Sequence, residues 1–290
     1  MSKQEAYATY LELRESTPDG EQGAGLSHSS EGLVLVHVLE VAAYGEPRGI
    51  VTIVHDAGDH GGRYEELAHA LAEKDFAVAL PDMRGHGRSE GPRGHSNGLK
   101  EVVRDLEEVQ NHLAYRLPEA PKVLVGQGLG ALYALTYALQ KPGELAGLAL
   151  VSPLRKPEFI LPEAKKGLMG MFGKKVGPTS EGSIGWTGDQ LTSDSAVESQ
   201  RSADDKCHDL ITVRAAGQAT EASANLARIG ELSIPVVLFE GGSNSIAGTG
   251  ELAGCETVRF DEMKHDLFHD TGKEAVQQAL LAWLDANVKA

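Results

Sequence analysis

The chain predicts an α/β fold: a mostly parallel sheet with helices on both faces and a separate segment inserted past its middle. Three observations carry this. The runs Ile50-Val51-Thr52-Ile53-Val54, Phe76-Ala77-Val78-Ala79-Leu80 and Leu148-Ala149-Leu150-Val151 are continuously apolar rather than alternating, as in strands buried on both sides. Between them, apolar residues recur at helical spacing. This rhythm breaks between Pro153 and Leu232, where lysines, glycines and serines intervene, and resumes afterwards.

In order along the chain, Tyr10-Leu11-Glu12-Leu13 gives a short helical pattern, followed by a glycine- and serine-rich stretch of flexible composition. Leu33–His37 and Val38–Val41 predict two short strands of a leading hairpin. After the run from Ile50 to Val54, the residues Tyr64, Leu67, Ala68 and Leu71 form one helical face, and Leu99, Val102, Val103, Leu106, Val109 and Leu113 form a second. Lys122-Val123-Leu124-Val125 predicts a strand and the segment from about Leu129 to Gln140 a helix, stopped before Pro142. Pro235–Phe239 and Glu256–Phe260 return to strand, and Val276, Ala279, Leu280, Trp283 and Leu284 close the chain as an amphipathic helix. The expected division is a lead-in over 1–30, a core over 31–153 and 233–290, and a cap over 154–232.

A chain of 290 residues with 41% hydrophobic and 24% charged residues can bury a sizeable core. Its net charge of -15 repels a phosphate backbone, so no nucleic-acid partner is expected. No apolar run has the length of a signal peptide or a transmembrane span, so the expected compartment is the cytoplasm. Cys207 and Cys255 lack any paired spacing and read as reduced, buried thiols. No motif calls for a metal or another cofactor.

The chemistry is expected in the turn Gly126-Gln127-Gly128-Leu129-Gly130, between a strand and a helix. A nucleophile elbow has the form Gly-x-Ser-x-Gly, because flanking glycines let the backbone turn sharply and hold the central side chain outward. Here the central residue has no side chain. The segments Gly58–Tyr64, Asp82–His95 and Thr192–Arg214 are similar, respectively, to the loop after the third strand, the loop after the fourth strand and the end of the cap in monoacylglycerol lipases and lysophospholipases. With gaps, the resemblance to these α/β-hydrolases runs from about Gly32 to Trp283.

That resemblance implies a serine nucleophile at position 128, an acid at 244 and a histidine at 265, in the chain order Ser, Asp, His. The sequence keeps His265 but has Gly128 and Asn244 at the other two positions, and Asp56 where the family has a glycine. Loss of such a serine costs on the order of 10⁶ in turnover. An amide in place of the acid costs about 10⁴. The resemblance also implies an oxyanion hole made from the backbone N–H groups of Ala57 and Leu129, with the charge of Asp56 beside it disfavouring an anion. Glu158, Asp261 and Asp266 are weighed as substitute acids, while His55, His60, His86 and His95 read as hydrogen-bonded loop histidines.

A catalytically degenerate hydrolase is therefore expected, one that binds an apolar or acyl ligand or a protein partner without serine-ester hydrolysis. Two other readings stand beside it: hydrolysis of lipid-like esters by water activated at His265, and a scaffold without ligand. Leu168, Met169, Met171 and Phe172 in the cap are the expected lining of an apolar cleft above Gly128. The lysines among them offer a weak peripheral contact with a membrane surface.

Overall fold

The computed structural model describes residues 5–14, 33–163 and 176–288. One sheet of eight strands organises the molecule: β1 (Tyr7–Arg14), β2 (Leu33–Val41), β3 (Gly49–Val54), β4 (Phe76–Pro81), β5 (Lys122–Gln127), β6 (Gly147–Val151), β9 (Val236–Gly241) and β10 (Glu256–Phe260), in the spatial order β1-β2-β4-β3-β5-β6-β9-β10. β2 runs antiparallel to both β1 and β4, and every other pairing is parallel. The central strands β3, β4, β6 and β9 are buried along their whole length, which is why they read as continuous apolar runs.

Helices cover both faces. On one, α1 (Glu65–Ala72) and the C-terminal helix (Lys273–Asn287) place Leu67, Leu71, Leu280 and Trp283 against Val51, Ile53, Val123 and Val125. On the other, α2 (Leu99–Arg116) and α3 (Leu129–Gln140) pack Val102, Leu106, Leu132 and Leu135 against Leu124, Leu148, Leu150 and Leu238. Successive residues of β5 thus feed opposite cores, the period of two that a pleated strand imposes.

The N-terminus departs from expectation. Tyr7–Arg14 is a strand rather than a helix, and Leu33–Val41 is one continuous strand rather than two. The leading hairpin exists, but its partners are β1 and β2, with Tyr7 opposite Glu40 and Arg14 opposite Leu33. Along β1 the side chains alternate in exposure down to the buried Leu13, a strand pattern that four residues taken alone could not separate from a helical one.

Between β6 and β9 the chain leaves the sheet. The described part of this stretch holds the short antiparallel pair β7 (Glu181–Ser183) and β8 (Leu210–Thr212), and the helices Gly188–Leu191, Ser195–Ala203 and Val213–Ser223. It is tied to the loops at the carboxyl ends of the strands, where such sheets bind ligands. The backbone N–H of His208 donates to Gly58 O at 2.9 Å, that of Thr212 to Gly94 O at 3.0 Å, and that of Asp266 to Leu191 O at 2.9 Å. Leu168, Met169, Met171 and Phe172, expected to line the cleft, lie outside the described residues. Among the described residues, no helix is long and apolar enough to cross a membrane.

Candidate functional site

The turn from β5 into α3 has the backbone of a nucleophile elbow. Gly128 sits at φ 54°, ψ -112°, a conformation that L side chains rarely adopt. The flanking glycines are required by space: a Cβ on Gly126 would strike Gly130 and Ala131, and one on Gly130 would strike the carbonyls of Val54 and His55. The tight turn therefore carries no side chain at its tip.

What fills the vacated volume is Asp56. A Cβ built on Gly128 would collide with all three terminal atoms of the Asp56 carboxylate. Oδ1 of that carboxylate accepts from the backbone N–H of Ala57 at 2.7 Å and from that of Leu129 at 2.7 Å, the two donors expected of an oxyanion hole. Its other oxygen, Oδ2, lies 2.7 Å from Nε2 of His265. The Asp56 side chain, expected to stand beside those two donors, instead accepts from both of them.

His265 is fully buried, and its ring packs edge-on against Trp186 at 5.2 Å between centroids. Its Nδ1, the nitrogen an orienting acid would hold, finds no hydrogen-bond partner among the described residues. Asn244 faces elsewhere: its Oδ1 accepts from the backbone N–H groups of Ile246 and Ala247 at 3.1 and 3.0 Å, which folds the loop after β9 on itself. Neither neighbouring carboxylate takes the acid's place. Asp266 bonds Arg63 and His269, and although burial raises its pKa, His269 and Arg63 outweigh that and hold it down at about 2. Asp261 pairs with Arg259. Glu158 is an exposed residue on the rim of a cleft.

The other histidines are tied into loops. His55 accepts from the backbone N–H of Met83 at Nε2, so the proton sits on Nδ1 and donates to Asp56 O. His60 joins Gly62 and Asp204, and His95 joins Thr212 and Asn97. His55, His86 and the cap residue His208 stack in a row, with centroids 5.0 and 4.7 Å apart. Asp82 accepts from Gly61 N at 2.7 Å and from Arg88 N at 2.8 Å, and lies 3.0 Å from Nδ1 of His37, which fixes the loop after β4 against the one after β3.

One expectation needs correction, and one grouping was not foreseen. The cysteines are free but half-buried rather than buried. His60, Asp204 and Cys207 bring three metal-ligating atoms within 4.8 Å of one another, a grouping that sequence spacing hid because the fold joins residues 147 positions apart. It is a poor cation site all the same. Nδ1 of His60 accepts from Gly62 N, which puts the proton on the nitrogen facing Asp204, and burial with nearby Asp59 pushes the Cys207 thiol up to about 12.

Two hollows lie near the site, and, contrary to the expected cleft above Gly128, neither is lined by Gly128, Asp56 or His265. One, of about 30 Å³, touches the hole residues Ala57 and Leu129 and has room for little beyond water. The other is a cleft of about 670 Å³ beside Trp186, with Leu154, Phe159, Ile184 and Ile246 among its apolar walls and Arg155 and Lys156 among its polar ones.

Residues 45–272 match the family model described as serine aminopeptidase, S33. The chain belongs to this family. Human monoglyceride lipase is 38% identical to this S33-family chain over 110 residues, a match covering 38% of the chain and 36% of the human protein. A monoglyceride lipase homologue of monkeypox virus is 27% identical over 260 residues, 84% of this chain and 91% of the viral one. The crystal structure of a monoacylglycerol lipase from Paleococcus ferrophilus superposes with a TM-score of 0.73 at 22% identity, covering 87% of this chain and 99% of that one, which establishes the α/β-hydrolase fold.

Proposed function

We propose that this S33-family chain is a non-hydrolytic member that holds an apolar or acyl ligand without cleaving an ester. The observation that carries the reading is the Asp56 carboxylate on the N–H groups of Ala57 and Leu129. An ester is cleaved at such a site only if its carbonyl oxygen takes those donors as charge develops. With both donors engaged by a resident anion and no side chain at Gly128, neither the attack nor its stabilisation is available. The cleft beside Trp186 supports retention of a ligand, since its volume falls in the range of small-molecule sites and its mixed lining sets Leu154, Phe159, Ile184 and Ile246 beside charged and polar groups.

The test joins two measurements on the purified protein: ester turnover with fluorophosphonate labelling, and mass spectrometry of co-purifying small molecules. The expected result is no turnover, no label in the Gly126–Gly130 turn, and an apolar ligand whose recovery falls in Trp186→Ala. Turnover at rates ordinary for a hydrolase sinks the reading, while silence in every arm leaves a scaffold without ligand in its place. Water activated by His265 is the less favoured alternative, because Oδ2 of Asp56 already holds the Nε2 position that such a water needs.

A further inference from the structure

A ligand carboxylate cannot use the backbone N–H groups of Ala57 and Leu129, because Asp56 already accepts from both. Any anion held near the site needs a cation elsewhere. The cleft beside Trp186 has two, Arg155 and Lys156, in a chain whose net charge is -15. We propose that this cleft binds a single-chain amphiphile by its anionic head, and that the head is a fatty-acid carboxylate held by Arg155 and Lys156. The inference rests on the ligand-holding reading above and names the chemistry of the ligand.

Arg155 is in place before any ligand arrives. Its Nη2 donates to Oε2 of Glu240 at 2.8 Å and to Gly250 O at 2.6 Å, which fixes the guanidinium against β9 and the loop that follows. Nε is buried, and neither it nor Nη1 has a hydrogen-bond partner among the described residues. A guanidinium carries donors on all three nitrogens, so this one keeps charge-assisted bonds to give. Because it is already fixed, it loses little rotamer freedom on binding. Lys156 is exposed and makes no ion pair among the described residues.

The charges decide between heads. Among the lining residues, two cations stand with the one carboxylate of Glu158, which leaves a single positive charge. Glu240, outside the lining, is shared between Arg155 and Arg259, the latter at 3.6 Å, so it does not cancel Arg155 alone. A carboxylate carries one negative charge and matches this surplus, whereas a phosphate monoester carries about -1.5 to -2 and exceeds it. The tail follows from the apolar lining, where the rings of Phe159 and Trp186 lie 6.2 Å apart between centroids and Ile246 joins them. Trp186 packs on His265 while Arg155 is tied to Glu240 and Gly250, so tail and head have separate walls.

The probes are laurate, dodecanol and dodecyl phosphate, which share one chain length and differ in the head. Each is titrated calorimetrically into the full chain below its micelle concentration, with ester turnover recorded on the same sample. Laurate is expected to bind roughly tenfold tighter than dodecanol, the effect of one hydrogen bond to a charged group, and tighter than dodecyl phosphate. Lys156→Glu and Arg155→Gln should each weaken laurate by roughly tenfold and leave dodecanol unchanged. Lys156→Glu carries the test if Arg155→Gln, which unpairs the buried Glu240, fails to fold. Equal binding of laurate and dodecanol, tighter binding of the phosphate, or laurate binding indifferent to Lys156→Glu overturns the proposal and leaves the ligand-holding reading standing. Failure of all three probes to bind overturns both, and ester turnover removes the non-hydrolytic reading by itself.

Discussion

The carboxylate of Asp56 occupies the space that any side chain on Gly128 would need, although 71 residues separate the two in sequence. Two departures from the pattern of a serine hydrolase are thus halves of one arrangement. Loss of the side chain at 128 opens a volume between the oxyanion donors and His265, and Asp56 closes it with hydrogen bonds to all three.

Reversion of one half alone should fail. Gly128→Ser is expected to destabilise the protein by about 1–3 kcal/mol, the range for overpacking a tight interior, and to yield no fluorophosphonate adduct. Asp56→Gly with Gly128→Ser should recover the stability and allow labelling. Esterase turnover should still sit about 10⁴ below a complete triad until Asn244→Asp is added and supports His265. Thermal melts and active-site labelling of the three variants check the order, and turnover from the single mutant refutes it.

Removing the carboxylate alone should be expensive. Asp56→Ala leaves two buried N–H groups and a buried imidazole nitrogen without their partner, and the expected loss is about 3–5 kcal/mol. Asp56→Asn retains an oxygen for the two N–H groups and should lose less, about 1–2 kcal/mol. Equilibrium denaturation separates them, and equal losses would mean that the backbone bonds contribute little.

Asn244 is expected to act as a loop fastener rather than as a catalytic relic. Asn244→Ala removes the acceptor for Ile246 and Ala247 and should cost about 1–2 kcal/mol. Fluorophosphonate labelling stays absent in this variant, and any effect on reactivity would show that residue 244 communicates with His265.

Acid should loosen the cap. Burial lowers the pKa of His55 and His86, and lowers that of His208 to about 4. Since an unfolded histidine titrates near 6.5, the folded state resists protonation, and this contribution to stability, complete above 6.5, is lost as pH falls from 6.5 through about 4. Burial raises Asp105 to about 6 and works in the opposite direction, so the comparison must be made by variant. His208→Gln should flatten the pH dependence of the melting temperature between 4 and 6.5. An unchanged slope would remove His208 from the account.

Much of the fold was legible because its signals are local. Strands buried on both faces leave continuous apolar runs, and helices of one buried stripe leave a 3.6-residue period, so the core elements emerge close to their observed limits. The strand Tyr7–Arg14 did not, because its partner lies beyond a glycine- and serine-rich interval and only pairing makes it a strand. At the site, Gly128, Asn244 and His265 could be aligned by their flanking motifs. The seating of Asp56 could not, for it depends on Gly128 being turned to φ 54° opposite a loop that sequence leaves unplaced. The signal was present all the same: a glycine lost at 56 and a side chain lost at 128 within one motif set, a large residue gained where another went missing.

The crowding between positions 56 and 128 also sets the direction in which such a sequence can change. With a serine at 128 there is no room for the aspartate, so the side chain at 128 must be lost before the one at 56 can enter its present seat. Once both have changed, restoring the serine meets the carboxylate, and removing the carboxylate first strips three buried partners of their bonds. Each single step back passes through a less stable protein, so packing alone holds the pair as it stands.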